Sequence, residues 1–170
     1  MEILKAVRER RSIRNFQRKE IPGEILDKLI DALIWAPSAG NLQARKFYCI
    51  TDQRLKRDIA SAALNQTFIA EAPLVIVGCT DSRIANRYGE RGVNIYAIQD
   101  VAASIMGMML VAHENGLGSV WVGAFREGAV FDVLQLPHNL RPVAIVPVGY
   151  PSRIPSPTPR VSRDEAVDFR

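Results

Sequence analysis

Apolar residues recur at helical spacing most clearly at Ile25, Leu26, Leu29, Ile30 and Leu33. This stripe predicts an amphipathic helix over Pro22–Trp35. Pro22 suits the first turn, where its missing N–H costs nothing, and Pro37 ends the helix. Ile3, Leu4 and Val7 predict a short helix over Glu2–Glu9, a polar helix is expected over Gln53–Leu64, and a further helix over Arg126–Leu134. The longest helix is expected over Asn94–Asn115. Its middle is apolar on almost every face and should be buried all round. Gly107 should let a neighbour pack closely there, and Gly116 supplies the stop. The apolar run Val101–Ala112 is too short to span a bilayer. Strands are expected at Phe47–Thr51, at the fully apolar Leu74–Cys79, at Ser119–Val122 and at Val143–Val148. Between them, Ser38–Asn41 has turn chemistry. Asp81–Gly92, with Arg83, Arg87, Tyr88 and Arg91, reads as a polar loop bordering a site. Pro151–Pro159 must be extended. Helices alternating unevenly with about four strands predict one layered α/β or α+β domain over residues 1–170.

Composition narrows the function. With 170 residues, 48% of them apolar and 24% charged, the chain is an ordinary globular domain. Met1–Lys19 is charged throughout, which does not suit a signal peptide. Cys49 and Cys79 sit in apolar runs and read as core thiols of a reducing, cytoplasmic setting. His113 and His138 lack a Cys or carboxylate at ligand spacing, which argues against a metal. The net charge is +4, and residues 1–20 alone carry that excess. It centres on Arg10-Arg11-Ser12-Ile13-Arg14. Guanidinium forks beside a hydroxyl suit a phosphate, and a solvated helix face is the other reading. One short basic segment without interleaved aromatics argues against nucleic acid. A dinucleotide fingerprint, a phosphate loop, a nucleophile elbow and a histidine pair are all missing, so a cofactor should carry any chemistry. The polar pairs in Ser38–Asn41 and Asn65-Gln66 suit either turn formation or contact with a heteroaromatic ring.

Several segments, taken in order, resemble the nitroreductase family of flavin enzymes. They are Arg10–Phe16, Ala36–Gln43, Glu71-Ala72-Pro73, Gln99-Asp100, Gly116–Phe125, Leu136-Pro137, Arg141–Pro151 and Pro159-Arg160. Each is weak alone, but their order and spacing cover nearly the whole chain. The resemblance implies an α+β, three-layer α-β-α domain with a small, mostly antiparallel or mixed sheet. The long helix would lie at a homodimer interface, with residues 151–170 wrapping the partner subunit. It also implies bound FMN, NADH or NADPH as transient donor, and a small acceptor such as a nitroaromatic, quinone or flavin, with hydride passing through the flavin in ping-pong order. Arg10, Ser12 and Arg160 would hold the phosphate, and Arg11 would follow the ribityl–ring boundary. Arg14 and Asn65 would meet the pyrimidine edge. Pro37, Ser38, Ala39 and Asn41 would come from the partner chain. Trp121, Val122, Gly123 and Ala124 would line the ring. No side chain need act as a nucleophile, and neither nucleic acid nor membrane is expected as a partner. A non-catalytic FMN module and a dehalogenating or flavin-degrading branch are the alternatives. Two departures stand out: Ala44-Arg45 replace a proline and an aromatic, and Gly123-Ala124 stand where larger members carry Glu-Gly.

Overall fold

The computed structural model describes residues 2–170. Four strands form one sheet: β1 (Arg45–Ile50), β2 (Leu74–Asp81), β3 (Gly118–Ser119) and β4 (Leu140–Gly149). Their order is β1-β2-β4-β3, and each neighbouring pair is antiparallel. Strand β2 is buried along its whole length. Successive side chains on a strand point to opposite faces, so an uninterrupted apolar run needs cover on both. Leu74 and Ile76 face one layer, made by α2 (Gly23–Ile34) and α6 (Ala97–Glu114). Val75, Val77 and Cys79 face the other, made by α3 (Gln53–Ala62), α4 (Phe68–Glu71) and α7 (Glu127–Val133). The chain is therefore a three-layer α+β domain, as expected. It starts with α1 (Ile3–Glu9), and its tail carries α8 (Arg163–Ala166), closed by a capping box between Ser162 and Glu165. Neither α4 nor α8 was expected. Each is only four residues long, below the length at which periodicity can be read.

Several expectations need correction. Ser119–Val122 is not one strand: pairing stops after Ser119 and resumes as an isolated bridge from Val122 to Ile145. Cys49 is exposed, because β1 is a sheet edge, whereas Cys79 on β2 is buried. Helix α6 is not buried all round. Val101, Ile105, Met108 and Ala112 are enclosed, but Ile98 and Met106 are each 37% exposed, because α2 and the sheet cover only part of the circumference. An added Cβ at Gly107 would lie 3.6 Å from the Ala32 carbonyl of α2, an ordinary contact, so close approach does not demand this glycine. Gly116 does terminate the helix: its φ is +75°, and the Leu117 N–H returns to the Ala112 carbonyl at 2.9 Å.

The segment expected as a loop, Asp81–Gly92, is mostly helical. A 3-10 turn (Ser82–Ile84) leads into α5 (Ala85–Arg91), and a π turn (Gly92–Tyr96) joins it to α6. Polar composition hid this, because the segment packs into a small cluster of its own with Ala44, Ile84, Tyr88, Val93 and Ala97. The whole run Ser82–Glu114 is long and apolar enough to cross a membrane. Here it is kinked at Gly89 and packs its α6 portion on the sheet.

Candidate functional site

The N-terminal segment leaves α1 at Arg10 and runs beside β3. Ser12 bridges Ser119, and the Ile13 N–H donates to the Ser119 carbonyl at 3.0 Å. Gly118 makes this possible, since a Cβ there would collide with Ile13. Arg10 is half-buried, and among the described residues its Nε and Nη1 have no hydrogen-bond partner. Burial, then the charges of Arg160 and Arg11, hold its guanidinium below the ordinary value. The charges of Arg160 and Arg11 thus both bear on Arg10, and Glu9 is the acid that borders the same space. A cavity of about 440 Å³ opens here, lined by Arg10, Arg11, His113, Ser119, Pro155 and Pro157. Such an arrangement suits an oxyanion, which would supply the missing acceptors and relieve the repulsion. The geometry therefore fits a phosphate.

The path continues from there. The Arg11 Nη1 folds back on the Arg8 and Arg10 carbonyls at 2.7 and 3.0 Å. Arg14 is exposed, with its guanidinium 5.9 Å from the Phe68 ring centre. That contact ties the N-terminal segment to α4 and the turn before it. In this turn Leu64 and Asn65 both take left-handed φ, +57° and +60°, which holds Asn65 out at the surface. The Gln66 Nε2 then donates to the Ala124 carbonyl at 3.0 Å and joins the turn to Trp121–Ala124. Trp121 is 39% exposed, Val122 is buried in its bridge to Ile145, and Gly123 and Ala124 are exposed. Arg160 lies on the exposed tail, its Nη1 turned to Thr158.

Pro37, Ser38, Ala39 and Asn41 lie elsewhere. Asp100, 5% exposed in the first turn of α6, accepts the Ala39 N–H at 2.9 Å. The Ser38 hydroxyl accepts the Gln43 N–H at 3.0 Å, and Asn41 takes φ +56°. Arg45, one of the two departures, caps the Ile34, Ala36 and Pro37 carbonyls at 3.0, 2.6 and 2.8 Å. Burial pushes its guanidinium down from the usual value, and Asp100 offsets part of that. From Asp100 to His113 the helix climbs about 20 Å. The structure thus brings Arg10, Arg11, Ser12 and the charge of Arg160 together near the His113 end of α6, and separately joins the Asn65 turn to Trp121–Ala124 through Gln66 and to Arg14 through Phe68. It leaves the Ser38–Asn41 turn at the Asp100 end.

The family profile of the nitroreductases matches residues 7–81 and 60–150. The chain belongs to the nitroreductase family. Among its relatives is an NADH dehydrogenase of Thermus thermophilus, 30% identical over 97% of this chain and 94% of that protein. Another is an FMN reductase [NAD(P)H] of Bacillus subtilis, 29% identical over 99% of this chain and 73% of the relative. Among solved structures, the NADPH:FMN oxidoreductase of Vibrio harveyi complexed with NAD+ superimposes with a TM-score of 0.90 at 26% identity. The match covers 98% of this chain and 76% of that one. This nitroreductase thus matches the shorter relative in length and spans about three quarters of the two flavin reductases. Asp100 and Arg45 hold the Ser38–Asn41 turn and Gln66 holds the Asn65 turn to Ala124; the sequence marks Asn65-Gln66 as turn chemistry and Gln99-Asp100 as part of the resemblance, but gives neither Asp100 nor Arg45 this role. The signal for Asp100 is an acid near the start of a mostly apolar helix.

Proposed function

We infer that this nitroreductase is an FMN-dependent NAD(P)H oxidoreductase that works as a cytoplasmic homodimer. The observation that carries this reading is the Arg10 cluster, a half-buried guanidinium with unpartnered donors beside Arg11 and Arg160. When bound, FMN supplies two-electron chemistry, taking hydride from NADH or NADPH and passing it to a small acceptor such as a nitroaromatic, a quinone or another flavin. Arg10, Ser12 and Arg160 hold the phosphate, and Arg11 borders the ribityl chain. Arg14 and Asn65 meet the pyrimidine edge, where the Arg14 charge favours negative charge on the ring. Trp121, Val122, Gly123 and Ala124 line the ring, with Gly123 and Ala124 exposed and Val122 held in its bridge to Ile145. These residues bind and orient; none is needed as a nucleophile.

Two features support the dimer. Helix α6 keeps Ile98 and Met106 exposed, each to 37%, among the described residues. Residues 152–170 are exposed throughout and carry Ile154, Val161 and Phe169, which a partner surface would bury. In a two-fold contact along α6, the Asp100 end of one subunit meets the His113 end of the other. Pro37, Ser38, Ala39 and Asn41 then reach the flavin held by the other subunit, and the tail wraps across the interface.

Anaerobic titration tests this. The purified protein should be yellow with stoichiometric FMN, bleach with NADH or NADPH and recover its colour with menadione. A colourless protein that takes up no FMN refutes the reading, and one that binds FMN but never bleaches is a non-catalytic module.

A further inference from the structure

Flavin binding leaves the Ser82–Tyr96 segment unexplained, and that segment carries three arginines against one acid, Glu90. Arg83 is spent on Asp81, which its guanidinium grips in a two-pronged pair. Arg87 and Arg91 are different. Both are exposed, and among the described residues neither pairs with a carboxylate. An exposed arginine ordinarily samples many rotamers and loses that freedom on binding. These two are held in advance. The Arg87 guanidinium lies 5.7 Å from the Tyr88 ring centre, and that of Arg91 lies 5.5 Å from the Tyr96 ring centre. The Arg91 Nε also donates to the Tyr96 hydroxyl at 2.9 Å. A guanidinium held against a ring in this way leaves its Nη donors free to grip an oxyanion.

The backbone is built to support this platform. Gly89 takes φ +56° and ψ −150°, a conformation closed to other residues, and the π turn follows it. Gly92 tucks under Tyr88, where a Cβ would come within 2.8 Å of the Tyr88 Cβ. Tyr96 thereby returns to meet Tyr88 edge-to-face at 5.3 Å and 83°. The Tyr88 hydroxyl in turn sits against Gly40, closely enough that a Cβ there would collide with it. The platform therefore stands on the Ser38–Asn41 turn, which faces the flavin of the other subunit in the functional reading above. We propose that Arg87 and Arg91 form a recognition site for an oxyanion, phosphate or carboxylate, carried by a reactant of that flavin. The site rests on that reading and goes beyond it, because it names the charge the reactant must carry.

The test is the Arg87→Gln/Arg91→Gln variant of the FMN-loaded dimer in anaerobic stopped flow. One arm compares bleaching by NADPH with bleaching by uncharged N-benzyl-1,4-dihydronicotinamide. The other compares reoxidation by 4-nitrobenzoate with reoxidation by nitrobenzene. In the arm whose reactant supplies the anion, the charged-to-neutral rate ratio should fall about tenfold, and Arg87→Lys/Arg91→Lys should restore part of it. Calorimetric titration with NADP+ reads the donor arm without turnover, as an affinity loss of the same size. Ratios unchanged in both arms overturn the proposal. Because each ratio is internal, partial loss of folded protein cancels. If the double variant does not fold, Arg87→Gln carries the test, since Arg87 makes no hydrogen bond among the described residues. A wild-type protein that neither donor bleaches refutes the functional reading itself.

Discussion

Replacing Arg10 with Met should move the free and the FMN-bound protein in opposite directions. Met keeps most of the aliphatic length and removes the charge. In the free chain Arg10 has two enclosed donors without partners and is repelled by Arg160 and Arg11. An unsatisfied enclosed donor costs roughly 1–3 kcal/mol, partly offset by the contacts of the guanidinium plane. A net gain of about 1 kcal/mol for the apoprotein corresponds to a rise of about 2–4 °C in Tm for a chain of this size. With FMN the sign reverses. Losing a charge-assisted contact to phosphate costs roughly 1.5–3 kcal/mol, about ten- to a hundredfold in affinity. FMN at about one hundred times the wild-type Kd stabilises the wild type by about 2.7 kcal/mol, and the variant by only about 0.4–1.4 kcal/mol. Differential scanning calorimetry with and without FMN reads both effects. A destabilised apoprotein with an undiminished FMN shift would show that Arg10 is a structural residue and that the phosphate lies elsewhere.

Further expectations concern the rest of the site. Arg14→Gln should leave FMN bound and lower its two-electron potential by about 30 mV for each 1.4 kcal/mol that the charge contributes, measured by spectroelectrochemistry. A chain ending at Tyr150 should lose both dimer stability and FMN, as read by sedimentation equilibrium and absorbance; a flavin-loaded dimer of that length would make the tail dispensable. Asp100→Ala strands the Ala39 N–H and should weaken FMN about tenfold by fluorescence titration, whereas Asp100→Asn keeps an acceptor and recovers most of the affinity. Equal losses in both variants would mean that Asp100 does not act through that bond.

Long elements with a clean period could be read from the sequence. The stripe Ile25–Leu33 and the run Leu74–Cys79 yield α2 and β2 within two residues of their observed ends, because each buries the faces its periodicity marks. The failures share one cause. Short elements owe their state to tertiary partners that no local window contains. Helix α5 and the π turn after it depend on Tyr88 and Val93 finding Ala44 and Ala97, and β3 ends at Ser119, which the Ser12 bridge meets. The same limit governs the site. Arg10 and Ser12 stood out by local charge, but their convergence with Arg160 is a long-range fact. Asp100 and Arg45 look like ordinary polar residues until the Ser38–Asn41 turn is seen hanging from them.

In the homodimer proposed above, about 20 Å of helix α6 separates the two parts of each shared site, and this has a genetic corollary. A chain disabled at Arg10 and Ser12 still offers a sound turn, and a chain disabled in Ser38–Asn41 still offers a sound phosphate cradle. Each alone makes dimers in which both sites are broken. Coexpressed, they pair at random, and every mixed dimer places the intact cradle of one chain against the intact turn of the other. Roughly a quarter of all sites are then whole. Two inert alleles should therefore complement each other in that dimer, and the contribution of one part of the site by each chain sets the ceiling on how much function the mixture regains.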